Sequence, residues 1–217
     1  MLQRTYMFKY KDIFNLKLTK NIQMVGDFDL PQLDPTDVVP ENVIAFNYAL
    51  SCKEPEKYFI HFYIDDYQFE RLWKRPEYYM KILGRFKGII APDFSTYINM
   101  PKAQQIFQVY KSRLLAANFQ AKGYNVIPNI SWSDEDSLKW TLEGIPKHST
   151  IALSTNGVLN KDTKEKFIKC YKKAIQTLEP TTIIIIGEIP KELQSDKNVQ
   201  FDNRINHLRS LKKLGKI

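Results

Sequence analysis

The sequence predicts an α/β class domain with a mostly parallel sheet, a single domain resembling a partial (β/α) barrel. Three observations carry this reading. From Gly88 onward, short apolar runs alternate with amphipathic helical stretches. Several runs, Thr182–Ile186 (TIIII) above all, are apolar without period-two alternation, as strands covered on both faces are. Small polar and acidic residues follow the runs, at the strand ends where parallel α/β domains bind ligands. An open doubly wound sheet is the alternative that the same alternation allows.

Each element has its own signal. Val43–Leu50 and Tyr58–Ile64 are rich in β-branched and aromatic residues and read as strands. The link from Leu50 to Tyr58 is too short for a helical crossover, so this pair is expected to be antiparallel, or the first strand to lie apart. Tyr67–Phe86 reads as a helix interrupted at Pro76, which fits the first turn of a second helix running to Leu83. Gly88–Pro92 is a strand. Pro101–Lys122 is the clearest helix: Ala103, Ile106, Tyr110, Leu114 and Ala117 recur at three- and four-residue spacing. Asn99 or Met100 is its expected cap, and Gly123 its left-handed stop.

Asn125–Ile130 is the next strand, with Pro128 marking a bulge or an end. Ser133 with Asp136 resembles a capping box before a short helix, Glu135–Glu143. Thr150–Ser154 is a strand. Asn160 is placed to cap a helix, Lys161–Leu178, with Phe167, Ile168, Tyr171, Ala174, Ile175 and Leu178 on one face. Thr182–Ile186, a weaker strand Asn198–Phe201 and a basic helix Asn203–Lys213 complete the chain. The organisation expected is an N-terminal extension (1–40), a core domain (41–190) and a basic tail (191–217).

Composition narrows the class. Of 217 residues, 43% are hydrophobic and 26% charged, which supports one real core and excludes bulk disorder. No apolar run approaches the ~20 residues of a membrane helix, so no membrane partner is expected. The first residues hold no uninterrupted apolar stretch, which speaks against a secretory signal. Cys52 and Cys170 stand alone, so neither a disulfide framework nor a zinc finger fits, and a cytoplasmic setting is expected.

Charge is uneven. The total is 32 − 24 = +8; residues 1–20 contribute 5 − 1 = +4 and residues 191–217 contribute 7 − 3 = +4. The body is therefore neutral. Basic ends can hold nucleic acid by counterion release, with Lys9, Lys11, Arg204, Arg209, Lys212 and Lys213 as the candidate contacts. A solubilising tail is the plainer account of the same residues.

The strand ends supply the candidate site. Asp65 and Asp66 follow the Tyr58 strand, Asp93 the Gly88 strand, and Glu188 the Thr182 strand. Asp65, Asp93 and Glu188, from three strands, could act catalytically or hold a divalent metal such as Mg²⁺ or Mn²⁺. Asp66 and Asp134 read better as turn residues. Arg113, Asn129, Ser131, Trp132, Ser154 and Asn156 are the candidate ligand contacts. Arg113, mid-helix, could reach an anion at the rim, or it could snorkel at the surface. No glycine-rich nucleotide loop follows any strand, and no G-x-S-x-G elbow surrounds a serine. His61, His148 and His207 lack metal-ligand spacing.

A set of motifs in order resembles a known family. They are Phe69-Glu70-Arg71-Leu72-Trp73, Phe86-Lys87-Gly88, Pro92-Asp93-Phe94-Ser95, Asn99-Met100-Pro101, Arg113-Leu114-Leu115, Asn125-Val126-Ile127-Pro128, Ser131-Trp132-Ser133-Asp134 and Gly144-Ile145-Pro146. The chain is similar over about residues 30–190 to the domain of unknown function 4417. The resemblance implies a bacteriophage, prophage or mobile-element context. It implies no reaction, cofactor or catalytic residue.

Charge and rim together lead to an expectation: a phage or mobile-element protein acting on nucleic acid, with divalent-metal phosphodiester chemistry at the rim. The rival is a non-catalytic interaction or inhibitor module that docks on a host or phage protein. A carbohydrate-active domain is a third class, and it would need two carboxylates about 5–9 Å apart.

Overall fold

The computed structural model describes residues 12–156 and 161–202, with side chains from Thr163 onward in the second stretch. A 3-10 turn, Leu16–Thr19, leads into a two-residue antiparallel hairpin, β1 (Met24–Val25) and β2 (Leu30–Pro31). Seven strands then follow in parallel. They are β3 (Val43–Ala45), β4 (Phe59–His61), β5 (Gly88–Ile90), β6 (Val126–Ile127), β7 (Thr150–Ser154), β8 (Thr182–Ile186) and β9 (Asn198–Phe201). β3 to β6 form one parallel sheet and β7 to β9 another. A single parallel bridge, Asn129 to Ala152, joins the two.

The strand order never reverses, so the doubly wound alternative is set aside. The sheet also has two apolar faces. Val43, Phe59, Ile90, Ile127, Ala152, Ile184 and Ile186 meet in one cluster, against which Val199 and Phe201 pack. That cluster draws on every strand from β3 to β9, as a sheet curled on itself does. Their neighbours Ile44, Ile60, Ile89, Val126, Ile151, Ile183 and Ile185 face the other way, into the helix-covered core. This is why the strands read as continuous apolar runs. Among the described residues, no ladder joins β3 to β9.

The expected antiparallel pair is corrected. β3 runs parallel to β4, in register Val43 to Phe59. The chain leaves strand geometry at Phe46: one 3-10 turn, Phe46–Tyr48, replaces the end of the first expected strand, and a second, Pro55–Lys57, fills the link before β4. Residues 46–58 are then free to cross over, a connection long enough for a parallel pair.

Pro76 divides the next helical stretch into α1 (Glu70–Lys74) and α2 (Pro76–Leu83), with Pro76 in the first turn of α2. α3 (Lys102–Ala121) keeps the expected length. Its N-cap is Pro101, not Asn99 or Met100, and no side chain caps it. α4 is only Leu138–Thr141. The capping box expected there does not form: Ser133 Oγ donates to Gln105 Oε1, and Asp136 pairs with Lys102 and Lys139. α5 (Lys161–Leu178) matches its expected bounds. Asn160, its expected cap, and the basic helix 203–213 lie outside the described residues.

The N-terminal segment is bound to the core. The Asn15 side chain donates to the Trp73 carbonyl (2.8 Å), Leu33 N–H to the Gly144 carbonyl (2.8 Å), and Thr150 N–H to the Thr36 carbonyl (2.7 Å). No helix among the described residues is long and apolar enough to cross a membrane.

Gly88 is required by a close approach. A Cβ there would strike the Phe59 ring and come within 2.8 Å of the Asn125 carbonyl oxygen. Gly88→Ala should therefore lower stability by about 1–3 kcal/mol, measured by chemical denaturation. Wild-type stability in that variant would show that β4 and β5 are less tightly packed than described.

Candidate functional site: a rim cavity around Asp93

A cavity of about 830 Å³ opens where the chain leaves β4, β5, β6 and β7. Asp65 comes from the first of these ends, Asp93 from the second, Ser131 and Trp132 from the third, and Ser154 and Asn156 from the fourth. One face of α5 closes the side: Thr163, Lys166, Phe167 and Cys170 recur at i, i+3, i+4 and i+7. Tyr97 and Ile98 form the lip, 60% and 64% exposed.

Hydrogen bonds hold the lip loops. Asp66 accepts from the Ser95 hydroxyl (2.7 Å) and the Ser95 backbone N–H. The Gln105 amide nitrogen donates to the Tyr97 and Met100 carbonyls (3.2 and 3.0 Å), while its oxygen accepts from Ser133 (2.6 Å). Asp134 accepts from Ser137 N–H (2.8 Å), a turn role. One buried glutamine thus ties together the loops that follow β5 and β6.

Asp93 is the chemically distinctive group. Part of its surface is open to the cavity, but its carboxyl sits deep, and burial pushes its pKa up to about 7. The nearby charge of Asp66 pushes the same way. Hydrogen bonds from the Asn129 side chain (2.8 Å) and from the Ser131 hydroxyl oppose the rise by favouring the carboxylate. Asn129 is fixed from behind by the Tyr63 hydroxyl, which donates to its Oδ1 (2.8 Å). Burial, and then Asp93, push the Tyr63 pKa well up, so Tyr63 stays a donor.

Of the residues expected at the rim, Asp65, Asp93, Ser131, Trp132, Ser154 and Asn156 line this cavity. Glu188 is exposed and outside the lining, so the three expected carboxylates do not gather. Among the described residues, no three His, Cys, Asp or Glu side chains are placed to hold a metal ion. Asn129 acts from below, through Asp93. Arg113 neither reaches the rim nor snorkels. It is 2% exposed; Nη1 donates to the Asn129 carbonyl (2.9 Å) and Nη2 to the Thr141 carbonyl. Burial pushes its pKa down to about 9. Lys9, Lys11, Arg204, Arg209, Lys212 and Lys213 lie outside the described residues. Lys166, Phe167 and Tyr97 were not among the site residues expected from sequence, Phe167 being read only as part of the apolar face of α5; the α5 spacing was the available signal for the first two. Cys170 lines the cavity, but burial pushes its thiol up, away from nucleophile chemistry.

Fold and site thus define a parallel-sheet α/β domain with a ligand-sized cavity at the strand ends, in which burial raises the carboxyl of Asp93 toward neutrality. The chain belongs to the family whose model is described as Domain of unknown function (DUF4417), matched over residues 22–203. Its relatives include the Gene 1 protein of Mycobacterium phage L5, 34% identical over 184 residues, covering 82% of this chain and 78% of that protein. The Gene 1 protein of Mycobacterium phage D29 is 28% identical over 185 residues, covering 82% of this chain and 66% of that protein. The phage setting expected from sequence stands on these matches. No solved structure matches the chain.

Burying Asp93 has a pH signature. Its folded-state pKa, about 7, lies above the ordinary 3.8, so the folded chain holds a proton that the unfolded chain has lost. The penalty is absent below about pH 4, grows between 4 and 7, and is complete above 7. Asp93→Asn should therefore gain on wild type as pH rises, by up to about 4 kcal/mol at pH 8, read from denaturation curves at pH 4 to 8. Parallel stability profiles would show that Asp93 titrates normally.

Proposed function

We propose that this phage-family protein acts on nucleic acid, with the rim cavity as its reaction site and Asp93 as the acid–base group of phosphodiester chemistry. The observation that carries the reading is a carboxyl poised near neutrality in an open, ligand-sized cavity. A group with pKa near 7 is populated in both forms at neutral pH. It can take a proton from an attacking water and return it to a leaving oxygen. Asp65 lines the same cavity and supplies a second carboxyl. The basic ends of the sequence support a nucleic-acid substrate.

The test is incubation with labelled single- and double-stranded DNA and RNA, with Mn²⁺ or with chelator, at low and moderate salt. Cleavage is expected, with a rate that rises with pH through about 7 because the carboxylate is the base. Asp93→Asn should lose at least about 100-fold in rate while its circular dichroism stays unchanged. Full activity in that variant sinks the reading. The metal and chelator arms decide whether a divalent ion takes part.

A second reading, a module docking on a host or phage protein, is favoured by Tyr97 and Ile98, the exposed apolar pair at the lip. It expects Asp65 and Asp93 to be replaceable without effect, and Tyr97→Ala with Ile98→Ala to abolish partner capture.

A further inference from the structure

We infer that the cavity takes one unpaired nucleotide, its base laid against the Trp132–Phe167 wall and its phosphate held by Lys166. The inference rests on the nucleic-acid reading above and adds which form of nucleic acid fits, and how.

Size comes first. A cavity of about 830 Å³ is in the range that encloses a single small ligand. A duplex cannot enter it with its bases stacked. A nucleotide from a single strand, a frayed end or a flipped position can.

The walls are sorted by chemistry. Trp132, from the loop after β6, and Phe167, from α5, have ring centroids 5.1 Å apart and planes 37° apart, and both line the cavity. Trp132 is only partly buried, so it keeps surface for a ligand. An aromatic wall accepts the flat face of any base, because every base has a π surface. Ser131 and Asn156, on the lining beyond that wall, offer hydrogen bonds to a base edge or sugar.

Lys166 supplies the anion contact. Among the described residues it is the cation in the cavity lining. On the same helix, Lys164 pairs with Glu192, while Lys169 and Lys173 both pair with Glu135. Lys166 makes no ion pair among the described residues. Lys166 and Phe167 both line the cavity, so the charge and the stacking wall open on the same space.

The test uses full-length protein and fluorescence anisotropy with a labelled ten-nucleotide oligothymidine and a blunt duplex of the same length. The single strand is expected to bind at least about 10-fold more tightly than the duplex. Trp132→Ala should weaken strand binding about 5- to 100-fold with circular dichroism unchanged. Lys166→Ala should weaken it and lower the salt slope by about one. Free thymidine monophosphate should displace the strand. Equal affinity for duplex and strand, or wild-type binding in both variants, would overturn the inference. Strand binding that depends on Trp132 and Lys166 without cleavage would sink the reaction and leave the inference standing. Cleavage with the duplex bound as tightly as the strand would do the reverse.

Discussion

Two backbone hydrogen bonds beside Pro128 join the edges of the two parallel sheets. Ile130 N–H donates to the Ala152 carbonyl (2.9 Å), and Ala152 N–H donates to the Pro128 carbonyl (2.8 Å). Without them there would be a four-stranded sheet and a three-stranded sheet, each with an open edge. Proline cannot donate, so β6 ends at Ile127; its carbonyl still accepts, and the pairing resumes one residue on. The bridge residue is Asn129. Its backbone joins the sheets, its carbonyl holds Arg113, and its side chain reaches Asp93. The bridge between the sheets and the contact to Asp93 are therefore set by one residue.

Around that seam, the protein tolerates charges that water would hold more cheaply. Arg113 is buried with two carbonyl partners and no carboxylate partner among the described residues, and Asp93 is driven toward its neutral form. Such arrangements oppose stability, and they cluster where a protein does chemistry or binds charge. The fixed dipoles of Tyr63, Asn129 and Ser131 need no rearrangement when the Asp93 proton comes or goes.

Much of this was legible in the residues. β7, β8, β9 and α5 fall where the apolar runs and the 3.6-residue period placed them, because each is long enough for its pattern to dominate. The early strands were read too long: aromatic content looks the same in a strand and in the 3-10 turns that follow. That error hid the crossover and with it the parallel pairing. The strand-end part of the cavity lining was visible, since strand ends in a parallel sheet share one rim; the α5 wall and the lip were not. Glu188 and Arg113 were not placed correctly, for different reasons. Glu188 follows its strand by two residues, and Gly187 intervenes at φ +119°, a turn whose direction side-chain spacing does not encode. Arg113 has a side chain long enough to end in solvent or in the core from the same helical position. Lys166 was lost among the lysines of α5, because only the fold shows which of them already have partners.

The contacts of the segment before β3 bear on how the chain assembles. Each strand from β4 to β9 lies beside its predecessor, so the sheet can extend stepwise with modest loop-closure entropy. The segment carrying Leu33 and Thr36 can meet Gln120 of α3 through Asp34, but it cannot complete its contacts early. Its partners, Gly144, Ser149 and Thr150, stand more than a hundred positions later, and the Thr36–Ser149 bond spans 113 residues. What comes first in the sequence therefore finishes docking only once β7 exists, as a strap drawn tight late.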